Sequence, residues 1–360
     1  MVYIIVFIIS IVFAKLADNS EERCISWCYL ALSALPLIVF AGFRDDEIGT
    51  DTSLYPLVIH TIIDEGFSLS DILDYSTLVE PLYSSFIYYT YYVFGSEFST
   101  FLFIQHFLIV GCFYIASYRL RQFVSLPQSV FMFCFLFYNM SLNIQRQSIA
   151  LCIVYLGYSF LVDNKLRVFI ISVLIGFFFH KTAIMGLFLI PIMYVEETKY
   201  NIYYILGTIL VLVLYSIVLD YFLKYTGLDK YEQYMDNSEF EGAFSNSEFI
   251  LRLVFLTIFL YAANSEKLAT YYNALTLFVC EFFLNLLQIK SAFVGRIALY
   301  AYILYIVYLP NFCFKNDDEE DNVPAILVTN SMIVIYWLFV YVISEAGSTY
   351  PYKSQLLEII

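Results

Sequence analysis

The chain has 360 residues, 61% of them hydrophobic and 20% aromatic, and carries a formal net charge of −14. A mean hydropathy of +0.76 lies far above that of a soluble globular domain, so the chain reads as an all-α polytopic membrane protein. It has no basic stripe, which excludes nucleic acid as a partner, and its 7 cysteines form no Cys-x-x-Cys pair.

Apolar runs approaching the roughly 20 residues that span hydrocarbon recur from end to end. Val2 to Ala17 has no basic n-region and no small-residue cleavage site, so it reads as a first span and not as a removable signal. Ile25 to Phe43 is a second, with Pro36 tolerated as it is in membrane helices. The polar loop 44–80 follows, with Tyr55 to Ile63 as a short interfacial helix inside it. Pro81 to Gly95 is so rich in tyrosine that it suits a re-entrant or interfacial segment better than hydrocarbon.

Phe101 to Tyr118 and Leu126 to Leu142 are the next spans. Gln147 to Val162 and Val168 to Phe179 then form a pair across the basic loop Asp163–Arg167. If both cross the bilayer they start and finish on one side, and Arg146 and His180 share a membrane face. Ala183 to Val195, Ile202 to Leu219, Phe249 to Ala263, Tyr271 to Leu287, Phe293 to Leu309 and Val323 to Ile343 bring the expectation to about twelve spans in one integral domain, 1–360. Placing Arg119, Arg121, Lys165, Arg167, Lys199 and Lys267 in the cytoplasm puts both termini outside, with the loops 44–80 and 220–249 and with Arg146, His180 and Arg296.

Arg146 stands in the first turn of a span, where the helix dipole and unpaired backbone N–H groups favour an anion and a guanidinium adds a planar fork for phosphate oxygens. An interfacial arginine that reaches lipid head groups would look the same. Arg296, after Gly295, lies at or inside a span boundary, where a cation facing a polar cavity is a functional signal. His180, after three phenylalanines, is a proton acceptor near neutral pH or a satisfied helix-end residue. Arg44 and Asp51 bracket a polar loop suited to substrate contacts. His60 and His106 have no partners at metal-ligand spacing, and Walker A, dinucleotide-binding and Asp-x-Asp motifs are absent, so neither a metal nor a cofactor is expected.

The motifs Gly42-Phe43-Arg44, Gly49-Thr50-Asp51-Thr52 with Tyr55, Glu80-Pro81-Leu82-Tyr83, Asn143 with Arg146-Gln147-Ser148, Phe179-His180-Lys181-Thr182 and Gly295-Arg296 with Tyr300 occur in that order over nearly the whole chain. The set resembles the EpsG family of Wzy-like polysaccharide polymerases; an acidic Asp45-Asp46-Glu47 insertion departs from it. The resemblance implies a metal-independent glycosyltransferase of GT-C-like architecture in the bacterial plasma membrane, its site facing outward. Donor and acceptor would be oligosaccharide repeat units on a polyprenyl diphosphate. Membrane lipid, a flippase and a chain-length regulator would be its partners. Arg146 and Arg296 would then meet the diphosphate, and His180, with Asp51 second, would serve as base. Arg44, Gln147, Tyr55 and Tyr300 would contact substrate. A lipid-glycan transporter and a lipid-glycan ligase are the competing readings. The sequence shows no internal repeat for the first and cannot separate the second.

Overall fold

The computed structural model describes residues 2–75, 79–194, 203, 206–207, 246–261, 268–288, 292–313 and 322–359. Nearly all of the expected span Ile202–Leu219, most of the loop 220–249, Lys199, Lys267 and the acidic run Asp317–Asp321 lie outside those residues. Among the described residues the regular elements are all helical. Arg23–Gly42, Phe98–Leu120 and Val323–Ile343 are long and apolar enough to cross a membrane, and Leu166–Phe179, Asn273–Leu286 and Gly295–Pro310 are shorter apolar helices. These helices carry the membrane class, while the twelve-span count rests on the sequence pattern. The chain divides into two compact units, Met1–Ile184 with Trp337–Ile360, and Met185–Tyr336.

The first unit opens with α1 (Val2–Asp18) and α2 (Arg23–Gly42), followed by three short helices, α3 (Thr50–Leu54), α4 (Pro56–Asp64) and α5 (Leu69–Tyr75). Next come α6 (Pro81–Phe94), α7 (Phe98–Leu120), α8 (Leu126–Met132), a π-helical turn (Phe133–Tyr138), α9 (Asn139–Asn143), α10 (Gln145–Leu161) and α11 (Leu166–Phe179). The tyrosine-rich α6 has 14 residues. At the helical rise that is about 21 Å, short of the ~30 Å hydrocarbon core.

Between apolar helices in lipid, association rests on close packing and on buried hydrogen bonds. Both are present. Ser33 Oγ on α2 donates to Ser10 O on α1 at 2.5 Å and lies 2.8 Å from Tyr114 Oη on α7. At Gly42 a Cβ would come within 2.8 Å of Phe103, so glycine sets the approach of α2 to α7. Tyr3, Phe7, Tyr138 and Trp337 form an edge-to-face aromatic core around the π-helical turn.

α10 and α11 run antiparallel in a register fixed by two glycines. Gly157 faces Ser172 and Phe169, and Gly176 faces Ala150 and Val154. The turn between them is closed by Asn164 in the left-handed region, φ 59°. At this end Arg119 Nη2 pairs with Asp163, Arg119 Nε donates to Ser159 Oγ at 3.0 Å, and the guanidinium lies 3.8 Å above the Phe160 ring. The opposite end of the pair carries Arg146 and His180.

The structure departs from plain α-helix in several of the expected spans: Phe293 to Leu309 is interrupted between Tyr302 and Tyr305, and Val323 to Ile343 ends in a π-helical segment, Leu338–Ile343. Leu126 to Leu142 is helical throughout but carries the π-helical turn, whose six side chains are all buried. Wider i→i+5 turns of this kind occur often beside functional sites. Ala183 to Val195 starts inside a 3-10 helix, Lys181–Phe188, and only then becomes α12 (Leu189–Tyr194). Gly186 and Pro191 both weaken α-helix there.

In the second unit, helices Asn246–Tyr261 and Leu268–Gln288 share a buried ion pair, Arg252 Nε to Glu281 Oε1 at 2.7 Å. Tyr305 Oη donates to Glu281 Oε2 at 2.8 Å, and Arg252 lies 4.6 Å from the Tyr302 ring centre. Removing one partner of a buried pair strands a charge, which costs about 3–5 kcal/mol. Arg252→Met is therefore expected to lower the melting temperature in detergent sharply. Arg252→Met with Glu281→Leu should recover most of the loss in a double-mutant cycle.

Candidate active site

At the head of α10 the helix path breaks. Ile144 adopts φ −79°, ψ 64°, so α9 ends at Asn143 and α10 begins at Gln145. A break leaves carbonyls without helical partners. Arg44 answers part of that need: Nη2 donates to Leu142 O at 3.3 Å, Nη1 to Ala41 O at 2.6 Å at the end of α2, and Nε to Ile48 O at 3.4 Å. Arg44 is 3% exposed. These three bonds tie the start of loop 43–49 to both helix ends.

Gly49 has φ +87°, and a Cβ there would sit 2.4 Å from Leu142 O, so only glycine lets the loop lie against the break. Asn143 Oδ1 accepts from Thr50 Oγ1 at 2.9 Å and from the Asp51 N–H at 3.1 Å, anchoring the first turn of α3. Gln145 extends the anchorage inward. Its Nε2 donates to Thr52 Oγ1 at 2.5 Å, its Oε1 accepts from Gln105 Nε2 at 2.8 Å, and Tyr83 Oη donates to Gln105 Oε1 at 2.8 Å.

A strap from the C-terminal segment holds the same loop from outside. The Gly49 N–H donates to Ser348 O and the Asp45 N–H to Lys353 O, each at 3.1 Å. The Gln355 N–H donates to Asp45 Oδ1 at 2.9 Å, and Lys353 Nζ lies 3.2 Å from Glu47 Oε2. Two of the acidic residues that depart from the family pattern, Asp45 and Glu47, thus contact the strap. Tyr352 stacks on Phe40 at 3.5 Å between ring centres and donates to Phe40 O at 2.7 Å.

Arg146, in the first turn of α10, reaches Glu80 Oε2 with Nη1 at 2.8 Å, and its guanidinium lies 4.0 Å from the Tyr55 ring centre. Glu80 Oε1 accepts from the Lys181 N–H at 3.4 Å. His180 ends α11 in extended backbone, φ −157°, ψ 121°, with Nδ1 2.7 Å from Thr182 Oγ1. Gln147 Nε2 donates to the same hydroxyl at 3.5 Å. Burial pushes the Glu80 carboxyl up, but His180, Arg146 and the N–H groups of Glu80 and Lys181 outweigh it, and the group is held below the usual glutamate range. The 2.8 Å ion pair with Arg146 favours the charged form of Glu80.

One end of the first unit thus holds Arg44, Asp51, Tyr55, Arg146, Gln147 and His180. Glu80 links Arg146 to the His180 turn. In the sequence Glu80 is only the first residue of a short motif before Pro81, with nothing to mark its carboxylate as buried. Arg296, half-buried, and the buried Tyr300 lie on the helix Ala292–Tyr302 of the second unit. Among the described residues, no three His, Cys, Asp or Glu side chains gather as metal ligands do.

A sequence model of the EpsG family matches residues 27–354, nearly the full chain. The chain belongs to the EpsG family. EpsG proteins are a Wzy-like polymerase family, which gives this membrane-embedded chain a polysaccharide-polymerase-like role. Comparison with curated proteins and with solved structures finds no match. The matched range contains every residue of the EpsG site just described except Gln355.

The Asn143 contacts make the EpsG loop testable. Asn143→Ala removes the acceptor of Thr50 and Asp51 and should cost about 1–2 kcal/mol of stability, as loss of a helix-capping side chain does. Asn143→Asp keeps an acceptor oxygen and should lose less. Thermal unfolding of the two purified variants, with limited proteolysis of loop 44–80, reads the difference.

Proposed function

We propose that this protein is a glycosyltransferase that polymerises polyprenyl-diphosphate-linked oligosaccharide repeat units into a cell-surface polysaccharide. It would work at the outer face of the bacterial plasma membrane. The growing chain is transferred as a block from its lipid diphosphate to the non-reducing end of a new unit. The observation that carries the reading is the meeting of Arg146 and the His180 turn on one buried carboxylate, at one end of a membrane-embedded EpsG chain.

The chemistry asks for two things. Negative charge grows on the leaving diphosphate as the anomeric C–O bond breaks, so cations must already be in place. In this reading Arg146 supplies that charge, and Arg296, on a helix of the second unit, is the other cation the sequence offers for the task. The acceptor hydroxyl must lose a proton as its oxygen bonds to the anomeric carbon. His180 accepts that proton, with Asp51 as the second candidate. The lipid diphosphate departs with the electron pair of the broken bond.

The neighbouring residues fit around this core. Tyr55, beneath the Arg146 guanidinium, and Gln147, beside Thr182, limit where the diphosphate and first sugar sit. Arg44 holds the loop that presents Asp51 and Tyr55. Tyr300 offers a ring or hydroxyl to a sugar.

Reconstitution with a lipid-diphosphate repeat unit and chelator should give a ladder of increasing repeats on a gel. Arg146→Ala and Arg296→Ala should each abolish it. Intact single units that only change leaflet would indicate a transporter instead. Arg146→Lys keeps the charge but loses the planar fork, and should lower kcat about 10- to 100-fold, the loss of roughly one charge-assisted hydrogen bond. Full activity in that variant would sink the bidentate role of Arg146.

A further inference from the structure

We propose that Glu80 is a positioning residue for His180: its carboxylate pins the His180 turn to the head of α10 and offsets the positive charge that His180 acquires when it takes the acceptor proton. The inference rests on the glycosyl-transfer reading and gives a chemical task to the carboxylate that in that reading only joins Arg146 to the His180 turn.

The backbone sets up the placement. Glu80 precedes Pro81, and the residue before a proline is pushed toward extended conformations. Glu80 adopts φ −65°, ψ 140°, ahead of the first turn of α6. From there its side chain turns inward and is only 1% exposed. Burying a carboxylate is costly unless it is paired and hydrogen-bonded. Both oxygens accept: one from Arg146 Nη1 at 2.8 Å, the other from the Lys181 N–H at 3.4 Å. A glutamine could serve only one of these donors with its oxygen, because its amide nitrogen donates. Two acceptors at this point call for a carboxylate.

The proton's destination adds a second requirement. Gln147 Nε2 donates to Thr182 Oγ1, and that oxygen keeps a lone pair able to accept from His180 Nδ1–H. In that tautomer Nε2 carries the lone pair that takes the proton. The resulting imidazolium would share its corner with the Arg146 guanidinium and with Lys181 of its own turn. Glu80 is an anion there, bound to Arg146 and to the Lys181 N–H. Arg146 also lies against the Tyr55 ring, and the neighbouring acid on α3 is Asp51, anchored to Asn143. Without Glu80, the new imidazolium would join Arg146 and Lys181 with no carboxylate there to offset it, and the transfer would slow.

The sign of the pH effect follows. A negative neighbour favours the protonated imidazole, and its removal keeps His180 deprotonated to lower pH. An opposite charge within a few ångströms moves a titration by about 1–3 pH units. Glu80→Gln is therefore expected to shift the acid limb of the kcat–pH profile down by about one unit or more, and to lower the plateau about tenfold as the base weakens. Glu80→Asp keeps the charge on a shorter stem. Its limb should stay at the wild-type pH while kcat falls through poorer positioning.

The measurement is the initial rate of ladder formation against pH by the reconstituted full chain and both variants. A wild-type chain that polymerises, with an unmoved limb in Glu80→Gln, would overturn the proposal and leave the polymerase reading standing. A displaced limb in Glu80→Asp would overturn it equally, and serves as the test should Glu80→Gln fail to fold. A wild-type chain that makes no polymer overturns both readings.

Discussion

A helix that stops must place its carbonyls somewhere, and the break at Ile144 makes this demand in the middle of a buried segment. Much of the site's architecture follows from it. The carbonyl of Leu142 draws in Arg44, and its nearness requires glycine at position 49. The side chain of Asn143, the last residue of α9, turns to the first residues of α3. A straight helix from Leu126 to Leu161 would satisfy its own backbone and leave loop 43–52 without its anchor on that helix. The interruption also starts a fresh helix at Gln145, which gives Arg146 its first-turn position.

Charge supplies the second constraint. The first unit places Glu80 and Arg146 almost out of contact with solvent and lets them answer one another. An isolated ion at that depth would be untenable, so the segments that bear them and the turn after α11 are bound to a common arrangement. The second unit solves the same problem differently. Glu281 takes hydrogen bonds from Arg252 and Tyr305, and also from Asn285 one turn along its own helix. That network ties helix to helix. The Glu80 network ties helix to loop, at the end where the first unit's family motifs collect.

Much of this is legible in the amino-acid sequence. The membrane class follows from hydropathy, and the antiparallel pair α10–α11 from two apolar runs and a short basic turn. Parity then places Arg146 and His180 at one end, as the structure has them. The helix break is not legible, because Asn143-Ile144-Gln145 contains neither glycine nor proline and its distortion is held by distant residues. Nor are the partners of Arg44. An arginine in a polar loop gives no sign of which distant carbonyls it will meet. Glu80 stands out only for its place before Pro81, since burial of a single carboxylate leaves no periodic trace. The π-helical turn is hidden for the same reason: Phe133 to Tyr138 reads as ordinary apolar helix.

The strap over loop 43–49 has a consequence for how the protein is made. Asp45 finds one of its partners 310 residues further along the chain, at Gln355. A ribosome delivers the loop early and its strap late, so the loop's outer hydrogen bonds cannot form until the distant segment has left the ribosome. Long-range closures of this kind carry a large ordering cost and come after local ones. Chains released prematurely would therefore display Asp51 and Tyr55 on a loop anchored from one side only. The loop that carries Asp51 and Tyr55 is held on both sides only once its strap has arrived.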